Sequence, residues 1–114
     1  MDDEEIVRNI VVRVVGNIRG VKTLRASSCR EALEILKEHN VDLIISDLNM
    51  PGEQGVEIVR ELKKDGKTIP VIIHSGSIIK GGEAKLISMG AAAVIEKPAS
   101  VESLTNAVLK FLGN

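Results

Sequence analysis

Between Val41 and Gly55 the chain reads V-D-L-I-I-S-D-L-N-M-P-G-E-Q-G. Val41 to Ile45 is an apolar run broken only by Asp42, and a second carboxylate, Asp47, follows at its C-terminal edge. Met50-Pro51-Gly52 then stops the strand and turns the backbone. A carboxylate held by a turn at the mouth of a buried strand marks a site, because open α/β sheets bind ligands outside the carboxyl ends of their strands. The plainer reading, Asp47 as a polar strand terminator, is decided by what the rest of the chain places beside it.

Other short apolar runs alternate with helical patterns. Four acids, Asp2 to Glu5, precede Ile6, Ile10, Val14 and Ile18 at helical spacing. Negative charge complements the positive end of a helix dipole, so the pattern predicts a helix over Glu4 to Asn17. Ile10 to Val15 is mostly β-branched, which keeps a strand as the minority reading. A strand is expected over Val21 to Ala26, then a helix from Cys29 to His39 capped by Ser27 or Ser28, with Ala32, Leu33, Ile35 and Leu36 on its apolar face. Val41 to Ser46 is the next strand and Gly55 to Lys64 the next helix, closed by Asp65-Gly66. Val71 to His74 is the near-continuous apolar run of a central parallel strand. Helices over Gly82 to Ser88 and Val101 to Leu112 flank a strand at Ala92 to Glu96, with Ser100 as the last cap. The order is α-β-α-β-α-β-α-β-α, which implies right-handed βαβ units and a parallel sheet.

Several function classes fall away. With 114 residues, 44% hydrophobic and 27% charged, the chain suits one soluble globular domain. A net charge of -1 without a basic tract argues against nucleic-acid binding, and a single Phe with no Trp or Tyr leaves no platform for stacking bases. Cys29 is the lone cysteine, so no intramolecular disulfide forms and a cytoplasmic location is expected; it reads as a partly buried helix residue. No apolar run reaches membrane-spanning length. His39 and His74 read as helix-end and strand residues.

Set against the strand ends, Asp2 and Asp3 precede the first helix, Asp47 ends one strand, Ser75 the next and Lys97 the last. Carboxylates crowded at one sheet edge call for a cation, and oxygen ligands suit Mg²⁺. A carboxylate that accepts a phosphoryl group also requires neutralisation of the transferring oxygens, which a metal, an ammonium and a hydroxyl supply.

These residues resemble the receiver domain of two-component response regulators, a flavodoxin-like doubly wound parallel sheet. The resemblance rests on Asp2-Asp3-Glu4, Asp47 to Gly52, Gly55, Ser75-Gly76, Gly90-Ala91 and Lys97-Pro98, and it spans nearly the whole chain. It implies that Asp47 is the phosphoacceptor, that Asp2, Asp3, Asp47 and the Asn49 backbone carbonyl hold Mg²⁺, that Ser75 is the switch hydroxyl and that Lys97 contacts the phosphoryl oxygens. It also implies a histidine kinase or phosphotransfer protein as donor, and a signalling role rather than a metabolic enzyme. A phosphatase of the haloacid-dehalogenase type is excluded because Asn49, not an aspartate, stands two residues after Asp47.

The chain departs from the family pattern in two places. Receivers carry an apolar strand ahead of the acidic pair, in the middle of a sheet ordered 2-1-3-4-5, whereas Met1 sits directly before Asp2 here. An open strand position invites pairing with another chain. The remaining strands close up, a second copy exchanges elements, or Ile10 to Val15 becomes a strand. The expectation is a domain-swapped homodimer of single receiver-type domains over 1–114 without an output domain, in which Asp2 and Asp3 hang on a loose N-terminus. The rival function is a phosphorylation-impaired dimerising scaffold or a fragment. On the output side, Val94 and Ala99 stand where the family commonly carries aromatics, and Ile78-Ile79 beside Ser75 form a candidate partner contact or tuck into the core.

Overall fold

The computed structural model describes residues 1–2, 4–47, 49–50, 53–54, 56–76, 82–97 and 100–112. Three parallel strands form the sheet, β1 (Ile44–Ser46), β4 (Val71–Ser75) and β5 (Ala93–Glu96), in the order β1-β4-β5. Ile45 lies opposite Ile72, and Ile73 opposite Val94. Every residue of β4 is buried, as its unbroken apolar run predicts for a strand covered on both faces.

The helices are α1 (Glu5–Gly16), α2 (Cys29–Glu38), α3 (Val56–Lys64), α4 (Gly82–Ser88) and α5 (Val101–Phe111). Cys29, Ala32 and Leu36 bury one face of α2, while Ile58, Val59 and Leu62 do so for α3. Together with Ile44, Val71 and Ile73 they make one apolar cluster. On the other side α1 packs against α5, whose Leu104 and Val108 are fully buried. The Ser28 and Ser100 hydroxyls cap α2 and α5 by accepting from the amides of Glu31 and Ser103.

Glycine ends two helices in the left-handed region. At Gly66 (φ 71°) the amide donates to Lys63 O and that of Lys67 to Leu62 O, closing α3. Gly90 (φ 114°) repeats this after α4, and a Cβ there would sit 2.8 Å from Lys63 Cε and 2.9 Å from Val59 Cγ1.

Four expectations change. Residues 21–26 form no strand: a strand needs a paired neighbour, and among the described residues only the Ala26 carbonyl meets one, the Asp2 amide at 3.1 Å, while the Val21 amide turns back to Ile18 O. Ile10 to Val15 is helix, so the minority strand reading falls. The stripe through Ile6 and Ile10 faces outward, with Ile6 77% exposed; the inner face is Arg8, Val11, Val12 and Val15, also at helical spacing. Arg8 sets that rotation by donating to the Asp2 carbonyl at 2.7 Å. Finally, a small antiparallel hairpin, β2 (Asn49–Met50) with β3 (Glu53–Gln54), intervenes before α3, because residues on both sides of a two-residue connection pair readily.

The N-terminal residues are not loose. Met1 N donates to Ile45 O at 2.7 Å, Asp47 N to Met1 O at 2.9 Å, and Asp2 N to Ala26 O at 3.1 Å. Such alternation is the bonding pattern of a parallel strand with a neighbour on each side. Met1 and Asp2 therefore occupy a strand position between residue 26 and β1.

Candidate functional site

Three elements deliver the site to the C-terminal edge of the sheet. Asp47 follows β1, Ser75 ends β4 and Lys97 follows β5. Ser75 lies opposite Glu96, and the Lys97 amide donates to Ser75 O at 2.9 Å, which brings the lysine beside the end of β4. Asp2 arrives from the other side on the strand-like Met1-Asp2 pair. Asp2, Asp47 and Ser75 are all buried. Beneath them, fully buried Ser46 donates its hydroxyl to Asp47 O at 2.9 Å.

Lys97 joins the two carboxylates. Its Nζ lies 3.0 Å from Asp2 Oδ2 and 3.5 Å from Asp47 Oδ1. Burial works against the ammonium, but the hydrogen bond to Asp2 and the charges of Asp2, Asp47 and Glu4 outweigh it and hold the Lys97 pKa above its usual value. The other Asp2 oxygen, Oδ1, accepts from the Glu4 amide at 2.9 Å, so both ends of that carboxylate are fixed. Nearby, burial pushes the Met1 α-amino group down from 8.0 to about 6, against the pull of Asp2. His74, one residue before Ser75, is also lowered, first by burial and then by the Lys97 charge.

Asp2, Glu4 and Asp47 each bring a carboxylate oxygen within 4.8 Å of the others. This all-oxygen donor set fits a hard divalent cation such as Mg²⁺, with Lys97 relieving part of its negative charge. Glu4 belongs to this cluster although its sequence position suggested only a helix-start acid; its place within one turn of Asp2 was the available signal. Asn49 sits on β2 opposite Gln54. Asp3, Ile78, Ile79 and Ala99 lie outside the described residues. Val94 is half-buried against the core beside β4.

Residues 1–109 match the family model of the response regulator receiver domain. The chain belongs to that family. Relatives include the polar-differentiation response regulator DivK of Brucella ovis, 36% identical over 97 residues, which are 83% of this chain and 79% of that protein. Among solved structures, a response regulator receiver domain protein from Clostridium thermocellum is 30% identical, with a TM-score of 0.86 over 98% of this chain and 90% of the other. The NtrX receiver domain of Brucella abortus gives 26% identity and a TM-score of 0.89, covering 99% and 95%. The fold is thus the flavodoxin-like receiver fold, and residues 21–26, Met1-Asp2, β1, β4 and β5 lie in the family's 2-1-3-4-5 order. Among the described residues of this receiver domain, no helix is long and apolar enough to cross a membrane.

Proposed function

We propose that the domain accepts a phosphoryl group on Asp47 from a histidine kinase or phosphotransfer protein in the cytoplasm and signals through altered partner binding. The carrying observation is Lys97 Nζ shared between Asp2 and Asp47 at 3.0 and 3.5 Å. An Asp47 carboxylate oxygen forms a bond to phosphorus while the bond from phosphorus to the donor histidine nitrogen breaks, and the imidazole leaves with the bonding pair. Lys97 then turns from the free carboxylate to the phosphoryl oxygens, whose growing charge it stabilises. Ser75 supplies the hydroxyl for the switch. Asp2, Asp3, Asp47 and the Asn49 carbonyl would hold Mg²⁺, with Glu4 in reach of the same ion; a bound cation would neutralise the transferring oxygens. The domain serves as a phosphoacceptor, not as a metabolic enzyme.

Incubation with acetyl phosphate and Mg²⁺ tests this reading by intact-protein mass spectrometry. A phosphoryl mass increment is expected, absent in Asp47→Ala. An unmodified wild type with its fold intact by circular dichroism would overturn the proposal in favour of the dimerising scaffold.

A further inference from the structure

Residues 6–28 hold five cations, Arg8, Arg13, Arg19, Lys22 and Arg25, and no acid. This stretch contributes +5 to a chain whose total is -1, so the other residues sum to -6. The cations are scattered along the sequence, and folding gathers them. Arg8 turns inward to the Asp2 carbonyl, whereas Arg13, Arg19, Lys22 and Arg25 are all exposed. Their two segments lie side by side. Arg25 Nη1 donates to Asn9 Oδ1 at 3.0 Å, and a Cβ at Gly16 would stand 4.0 Å from Thr23 Cγ2. Arg13 follows Asn9 by one helical turn on the same side. The outer side of α1 and residues 19–25 therefore form one positive face. Among the described residues none of its four cations joins an ion pair, unlike Arg30 with Glu34 or Arg60 with Glu57.

The same face carries apolar side chains that the fold leaves uncovered. Ile6 and Ile10, 77% and 55% exposed, stand one turn apart on α1. Positive charge around exposed isoleucines narrows the occupant. A nucleic-acid backbone answers the charge but offers the isoleucines no apolar contact, and no aromatic residue stands here to stack a base. A folded acidic protein needs sockets for its anchoring side chains, and these residues crown a helix ridge. A layer of mobile anionic headgroups conforms to a ridge and takes up charge and apolar surface together.

We propose that the outer side of α1, with residues 19–25, docks on the surface of an anionic lipid bilayer. Arg13, Arg19, Lys22 and Arg25 enter the headgroup layer. Glu4 and Glu5, both exposed at the start of α1, are repelled by that layer. The helix therefore tilts with its C-terminal end lower, and Ile10 enters more deeply than Ile6. Asp47 lies at the edge of the sheet from which α1 begins, so docking leaves it open to a phosphoryl donor. The binding is independent of the phosphoryl reading, since neither its contacts nor its test involves transfer to Asp47.

The test sediments the 114-residue protein with vesicles of one part phosphatidylglycerol to three of phosphatidylcholine, and with phosphatidylcholine alone. Pelleting with the anionic vesicles alone is expected, and it should fall steeply as salt rises. Each cation near such a surface contributes about fivefold, so the double variant Arg13→Gln with Arg19→Gln should weaken partition about 25-fold. Ile10→Ser should weaken it about tenfold. The salt series on the unaltered protein keeps the test valid if a variant unfolds. Four results overturn the proposal: no pelleting with anionic vesicles at low salt, equal pelleting with neutral ones, full partition of the double variant, or tighter binding to duplex DNA or polyglutamate than to the vesicles. The last would give the face to a nucleic acid or an acidic protein.

Discussion

Replacing Lys97 with methionine removes the ammonium that bridges Asp2 and Asp47 and keeps most of the side chain's apolar stem. Two buried carboxylates then face each other, with oxygens no more than 4.8 Å apart. At an effective dielectric constant of about 20 their repulsion is about 3.5 kcal/mol. Loss of one partner from a buried ion pair costs a similar amount. Lys97 keeps 17% of its side chain exposed, so water screens part of this. The expected cost is about 3 kcal/mol at pH 7, a fall in Tm of about 12 °C for a domain of this size. Urea unfolding at pH 7, with and without Mg²⁺, separates charge from packing. The loss should shrink when Mg²⁺ supplies the missing positive charge. Lys97→Arg should lose far less than Lys97→Met. A loss insensitive to Mg²⁺ and equal in Lys97→Arg and Lys97→Met would refute the electrostatic reasoning and assign Lys97 a packing role.

Further expectations use the same unfolding assay. His74→Val removes a buried nitrogen without a partner among the described residues and should stabilise the domain by about 1 kcal/mol. Wild-type stability should fall as pH drops from about 8 to 6. The Met1 amine (8.0 lowered to about 6) and the lowered His74 both bind protons more tightly unfolded, so acid favours the unfolded chain. His74→Val should flatten the lower part of that slope. Gly90→Ala forces a Cβ into Lys63 and Val59 at a φ of 114° and should cost about 2 kcal/mol. Ser100→Ala should cost about 1 kcal/mol by uncapping α5.

The elements readable in the sequence were those whose own residues specify them. The unbroken apolar run of β4, the serine caps and the Gly66 and Gly90 stops hold their information locally. Residues 21–26 were not readable in that way, because strand formation there depends on a neighbour contributed by Met1 and Asp2, far off in sequence. The rotation of α1 was likewise set at a distance. Two apolar stripes compete on that helix, and the reach of Arg8 to the Asp2 carbonyl selects the one without Ile6. The convergence of Asp2, Asp47 and Lys97 followed from strand order alone, since each sits at or beside a strand end and parallel strands bring those ends to one edge. Their ion pairing, and the entry of Glu4 into the acidic cluster, depend on side-chain placement that strand order does not contain.

Asp2 connects the two halves of the functional reading. Its carboxylate belongs to the acidic cluster, while its backbone holds the last rung of the strand position through Ala26, and its carbonyl anchors α1 through Arg8. A sequence in which Asp2 follows Met1 directly suggested a floppy ligand. The three backbone bonds of Met1 and Asp2 instead give it the support of a strand end, which is what a carboxylate must have to hold a cation in fixed geometry.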